Sequence, residues 1–188
     1  MTKLILMFLF TAAGAGLFAA NTPEPVHISP MNKWIIVEKE AWKAPKIDVL
    51  IRHADGSVLI RESIKKSTKY NLKYVPDGNY LLELEDGQKQ IVQQISVTNG
   101  ILQGKEIITT FKPRIILSKD YLNLNLMTQG MPATITIRHS SGKIAHTEDT
   151  NGEVSVCRKY NIKELEANEY MLDVAINGQV FTQAIHNN

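Results

Sequence analysis

"IRHADGSVLI", residues 51–60, returns 86 positions later as "IRHSSGKIAH", residues 137–146. Each stretch reads as a strand, a turn at Asp55-Gly56 or Ser141-Gly142, and the start of a second strand. In the second, Ile135 and Ile137 alternate with Thr134, Thr136 and Arg138, the period-two signature of a half-buried strand. The question is whether the repeated Arg-His is a functional pair or a by-product of a repeated unit.

The repetition runs well beyond the Arg-His. "KYNLKYVPDGNYLLELEDGQKQIVQQISV", from Lys69, aligns with "KYNIKELEANEYMLDVAINGQVFTQAIHN", from Lys159. Tyr70 matches Tyr160, Leu72 matches Ile162, Tyr80 matches Tyr170 and Gly87 matches Gly178. Self-similarity of this kind marks a structural unit present twice. The tyrosines stand 90 positions apart (70 to 160), so copy two carries four extra residues. They are expected in "TEDTNGEVSV", with Asn151-Gly152 as a turn.

Tyr80, Leu82 and Leu84 share one strand face, as do Tyr170, Leu172 and Val174. Asp86-Gly87 and Asn177-Gly178 read as type I′ hairpin turns, which need positive φ. No sustained helical stripe is present, and "NIKELEANEY" has room for at most one helical turn. Short strands with closely spaced turns predict an all-β protein of two small antiparallel sandwiches, residues 26–100 and 113–188. Residues 101–112 are apolar enough for a packed connector or an extra strand. Copy one offers only "KWIIVE" ahead of its Ile51 strand, which leaves a sheet edge open. Residues 107–111 are therefore expected to pair with the first sandwich.

Composition sets bounds on partners. With 44% hydrophobic and 21% charged residues in 188, the chain is ordinary for a folded protein. A net charge of +2 with scattered lysines gives no basic stripe, so nucleic acid is not expected as a partner. Residues 1–20 have a lysine, a short apolar run and small residues, the order of a signal peptide cleaved after Ala15 or Ala20. The mature chain is expected to be secreted, periplasmic or at the cell surface, without a transmembrane helix. Cys157 is the only cysteine; its flanks "VSVCRKY" alternate like a strand, and it reads as a small buried hydrophobe, with an intermolecular disulfide as the alternative.

Copy two, "LSKDYLNLNLMTQGMPATITIRHSSGKIAHTEDT" followed by "YNIKELEANEYMLDVAINGQVFTQAI", resembles the C-terminal sorting domains of type IX secretion cargo. It also resembles related small secreted bacterial proteins. The landmarks are Leu122/Leu124/Leu126, the strand, turn and Gly-Lys from 135 to 143, and Leu165 ahead of Tyr170. The family's last segment reads Leu-x-Ala-Gly-x-Tyr; here Ala167 is kept and Asn168 stands at the glycine. The resemblance implies immunoglobulin-like sandwiches, and either a sorting role or a module of the cell envelope.

Few residues offer chemistry. His53 and His139 are in phase with inward positions at the end of their strands, where an imidazole can hydrogen-bond turn backbone. Arg52 and Arg138 point to the opposite face, so adjacent Arg and His do not converge on one ligand. Arg52, His53, Arg138 and His139 nevertheless remain binding candidates, joined by Trp42, which beside charged residues is either an exposed aromatic anchor or, as expected first, packed between the two domains. Trp34 is expected in or near the core. Asp55, Asp77 and Asp86 precede glycine and read as turn formers; Glu83, Glu85 and Asp173 read as solvated strand faces. H-E-x-x-H, G-x-S-x-G, phosphate-loop and paired-cysteine patterns are missing. The expectation is a non-enzymatic binding or assembly module without cofactor or metal, whose partner is a protein or glycan.

Overall fold

The computed structural model describes residues 24–163, 165 and 169–186. The expected signal peptide, residues 1–20, lies outside them, as does most of the segment between 164 and 168. Unit 1 contains β1 (Val26–Ser29), β2 (Trp34–Val37), β3 (Ile47–His53), β4 (Val58–Ile64), β5 (Thr68–Asn71), β6 (Gly78–Glu85) and β7 (Lys89–Thr98). An eighth strand, β8 (Ile101–Phe111), follows. Unit 2 contains β9 (Arg114–Leu117), β10 (Tyr121–Met127), β11 (Ala133–His139), β12 (Ile144–Thr150), β13 (Ser155–Asn161), β14 (Glu169–Ile176) and β15 (Gln179–His186).

The strand order is the same in both units. In unit 1 a sheet ordered β1-β2-β5 accompanies one ordered β4-β3-β6-β7-β8. In unit 2, β9-β10-β13 accompanies β12-β11-β14-β15. All pairings are antiparallel. Removing β8 leaves three strands against four in each unit, so the chain is two tandem immunoglobulin-like sandwiches.

Alternation fixes the cores. Val49 and Ile51 of β3 meet Leu84 and Leu82 of β6, and all four are buried. Ile135 and Ile137 of β11 meet Val174 and Leu172 of β14 in the same way. From the other sheet come Ile35 and Val37 in unit 1, and Leu122, Leu124 and Leu126 in unit 2. Each such side chain contributes ~1.5–3 kcal/mol on leaving water. A slip of one residue would turn that row to solvent, so burial also sets register.

Several expectations are corrected. Trp42 is buried at 4% exposure in the unit 1 core, whereas Trp34 is only partly covered. Trp42 follows a short 3-10 turn, Lys39–Ala41, in an irregular segment where strand periodicity says nothing about direction. Cys157 is exposed: Val156 takes the inward position, so its neighbour points out. The strand before "KWIIVE" exists as β1, held between Pro25 and Pro30 and too short to stand out by alternation. Of the two Gly turns, Asn177-Gly178 has the positive φ values, 51° and 72°. Asp86-Gly87 instead works through the Asp86 carboxylate, which accepts the Gln88 and Lys89 N–H groups at 2.7 and 2.8 Å.

β8 pairs with β7 from Thr98↔Ile101 to Lys89↔Phe111, so residues 107–111 do join the first sandwich. The edge it covers is that of β7, not one left by a missing strand. β8 also reaches β1, where the Leu102 N–H donates to the Pro30 carbonyl at 3.2 Å. The extra residues of copy two lie mainly in a longer β13, which pairs with residues 125–127 of an equally lengthened β10.

Candidate functional site

The repeated Arg-His closes each central hairpin. His53 lies opposite Tyr80, and His139 opposite Tyr170, as direct cross-strand neighbours on the core face. The rings meet edge to face with centroids 5.1 and 5.4 Å apart. His53 Nδ1 accepts the Asp55 N–H at 3.3 Å, and His139 Nδ1 accepts the Ser141 N–H at 3.0 Å. Each histidine is therefore occupied by its own turn. Tyr80 is anchored as well, since its hydroxyl donates to the Pro76 carbonyl at 2.8 Å. That bond returns to the loop before β6, the tyrosine corner found in sandwiches of this type. Gly78 has a local reason here, because a Cβ at that position would stand 3.1 Å from His53 Nε2.

Arg52 and Arg138 use their charge inside their own units. Arg52 Nε donates to Glu83 Oε1 at 2.6 Å, and Arg138 Nε to Asp173 Oδ2 at 2.5 Å. Each acid stands two residues along from the one opposite its arginine, a diagonal contact across the sheet. Glu83 and Asp173 are only 17% exposed, so the reading of these two as solvated is overturned. Burial pushes the Asp173 carboxyl up, but hydrogen bonds from Arg138 and Thr182 outweigh it and hold the group below 3.8.

A third repeated contact escaped the sequence reading. The Tyr70 hydroxyl donates to Glu62 at 2.6 Å, and Tyr160 to Glu148 at 3.0 Å. Both tie the three-stranded sheet to the edge strand of the other sheet. Burial first, and the carboxylate bond second, push both phenols above their ordinary value of 10.0. Register alone reveals the pairing, because Glu62 faces Val49 and Glu148 faces Ile135.

Histidine chemistry is divided between the units. His53 has a carboxylate, with Asp55 Oδ2 3.0 Å from Nδ1. Asp55 is held down at about 2 by hydrogen bonds from the Ser57 N–H and hydroxyl, with His53 adding less. His139 has a hydroxyl, Ser141 Oγ, at 2.7 Å from Nδ1. An activated serine needs both, the acid orienting the imidazole from the side away from the nucleophile. The shallow cleft of about 470 Å3 beside His139 is lined by Lys143, Ile144 and Tyr170 and by no carboxylate. All these bonds stay within one unit, so the two Arg-His pairs are not brought together. Among the described residues, no three His, Cys, Asp or Glu side chains cluster as metal ligands, and no helix is long and apolar enough to cross a membrane.

No family model matches the sequence. No curated protein matches it either. Among solved structures, the BSP domain of a biofilm-associated protein is 13% identical, with a TM-score of 0.31. The alignment covers 89% of this chain and 29% of that one. The FN1-FN3 domains of chicken CNTN1 are 11% identical with a TM-score of 0.29, covering 87% of this chain and 66% of that one. These likenesses are slight, and the class of the fold rests on the strand order described above.

Proposed function

We propose that the chain is an exported, non-enzymatic binding or assembly module of the bacterial cell envelope, with a protein or glycan partner. One observation carries the reading. The repeated polar side chains are spent on internal bonds, while large apolar side chains are left on the surface. Tyr74 is 90% exposed, and Val58, Ile144 and Val180 project from sheet edges. A surface that offers large apolar groups suits contact with another molecule. The test is to fractionate cells producing the tagged full chain and to cross-link the envelope fraction. A product starting at Gly16 or Asn21, cross-linked in the envelope and indifferent to replacing both His53 and His139 by Asn, supports the module. A full-length cytoplasmic product, or function lost with the histidines at unchanged stability, overturns it.

A second reading keeps the same fold but makes unit 2 a type IX sorting domain. Its favouring observation is that unit 2 closes a core of its own. A reporter fused ahead of residues 113–188 that stays in the periplasm removes this reading.

A further inference from the structure

β15 ends its sheet, pairing with β14 along its whole length without a register shift, and among the described residues no strand pairs with its other side. Its sequence, "QVFTQAIH", has no Lys, Arg, Asp, Glu or Pro. Edge strands are normally blunted by charge, proline, a bulge or brevity, because their free N–H and C=O groups otherwise recruit other strands. The other edges show these devices. β4 and β12 are bulged against their neighbours and carry Arg61 and Glu62, or Glu148 and Asp149. β8 has an irregular register and Lys105 and Glu106; β13 has Arg158 and Lys159. β1, β5 and β9 are four residues long. Among the described residues β15 is the long, regular, uncharged edge.

Unit 1 shows what closes this position. β7 is the counterpart of β15, and β8 covers it, burying Leu102 in the core and reaching across to β1. On the corresponding side of unit 2 lies a cleft of about 620 Å3. Arg114 and Ile115 of β9, Leu126 of β10 and Gln183 of β15 line it, and Gly87 and Gln88 of the β6–β7 turn wall it on the unit 1 side. Its charged lining residues are Lys112 and Arg114, with no carboxylate among them. Lys112 is already paired with Glu85, whereas Arg114 has no ion pair among the described residues.

We propose that β15 accepts an extended strand from another polypeptide. The strand adds antiparallel, places alternate apolar side chains over the cleft between β9 and β15, and sets an acidic residue against Arg114. Main-chain bonds supply affinity in such additions, and alternate side-chain sites supply selectivity. A second whole sandwich fits less well, because unit 1 already stands at the start of β15. There Asn177 Nδ2 donates to Thr110 Oγ1 at 3.1 Å, and Gln179 bonds Gln90. The inference rests on the binding-module reading and names the surface that reading requires.

The test uses the full mature chain and a labelled nine-residue peptide alternating Val or Ile with Thr and ending in Asp. Saturable binding, with slowed amide exchange confined to residues 179–186, is the expected result. Gln183→Glu, which sets a carboxylate into the cleft from an exposed position, opposes the peptide's Asp and competes for Arg114, and should weaken binding at least tenfold without changing the melting temperature. Arg114→Glu should weaken it and favour the same peptide ending in Lys. No binding at about 1 mM peptide, a range that detects even weak association, overturns the proposal. So does protection at β4 or β12 instead, or pairing of two copies through β15. If the peptide fails while envelope cross-linking persists, the acceptor edge is wrong and the binding module stands. Loss of both removes the module as well.

Discussion

The two sandwiches share a wiring scheme and differ at their margins. Each joins its central hairpin by a His on a Tyr, an Arg on an acid one strand away, and a Tyr hydroxyl on a Glu. The differences lie at the edges. Unit 1 has four-residue β2 and β5 strands and is closed by β8, while unit 2 lengthens β10 and β13 and leaves β15 uncovered. Small sandwiches have little core to spare. One copy gains cover from an added strand, and the other from a longer pair inside its three-stranded sheet. Interactions that define the fold recur in both copies, while the cover of the sheet edges differs.

The largest test of that contrast is Leu102→Ala. Leu102 is fully buried in unit 1 although it sits outside the repeated strands. Its truncation should cost ~2–5 kcal/mol. The loss should appear in the exchange rates of unit 1 amides, with unit 2 nearly unchanged. A cost below about 0.5 kcal/mol, which is the range of surface changes, would reduce β8 to a spacer.

Next come Tyr70→Phe and Tyr160→Phe, each removing a bond to a carboxylate, worth ~1.5–3 kcal/mol. Because folding raises both phenol pKa values, their contribution is complete below pH 10.0 and fades as the pH climbs past that value. Denaturant melts at several pH values should therefore show an alkaline fall in stability that shrinks in either variant. Equal slopes in wild type and variants would show that the phenols titrate alike in both states.

The core was legible because strand periodicity and a repeated sequence reinforce one another. Ile51 and Ile137, or Leu82 and Leu172, each confirm the phase of the other. Reading failed where those constraints lapse. Trp42 sits between strands, so neither alternation nor its charged neighbours fixed its direction. β1 offers only "VHIS" between prolines. Cys157 reads as buried only from the habit of free cysteines, while alternation with the buried Val156 turns it outward. The acidic partners of Arg52 and Arg138 depend on strand register, which no local window contains. The uncovered edge of β15 was illegible for the same reason, since exposure of an edge is a property of the whole sheet.

Asp173→Asn is a smaller test. Arg138 is 35% exposed, so solvent screens the pair and about 1 kcal/mol is the expected loss. The Asp173 carboxyl is held below 3.8 in the folded chain, so its contribution is present above that pH and is lost as the pH falls through the folded value. The variant should flatten the acid limb of unit 2 stability. An unchanged limb would place the acid sensitivity elsewhere.

The smallest effects are expected at the histidines, where the two units can be compared residue for residue. Asparagine keeps an acceptor for the turn N–H but gives up the ring contact with Tyr80 or Tyr170. A net hydrogen bond is worth roughly 1 kcal/mol, which bounds each change. The two should not be equal. His53 accepts at 3.3 Å, near the limit of a useful bond, and Asp55 also holds its turn through Ser57 at 2.8 Å. His139 accepts at 3.0 Å and engages the Ser141 hydroxyl at 2.7 Å, and no carboxylate backs that turn. His139→Asn should therefore destabilise unit 2 more than His53→Asn destabilises unit 1, with the difference read from amide exchange in each hairpin. Equal effects would mean that the ring contact, which both share, carries the stabilisation. The reverse order would mean that the Asp55 carboxylate depends on the imidazole beside it, giving His53 a role beyond its turn.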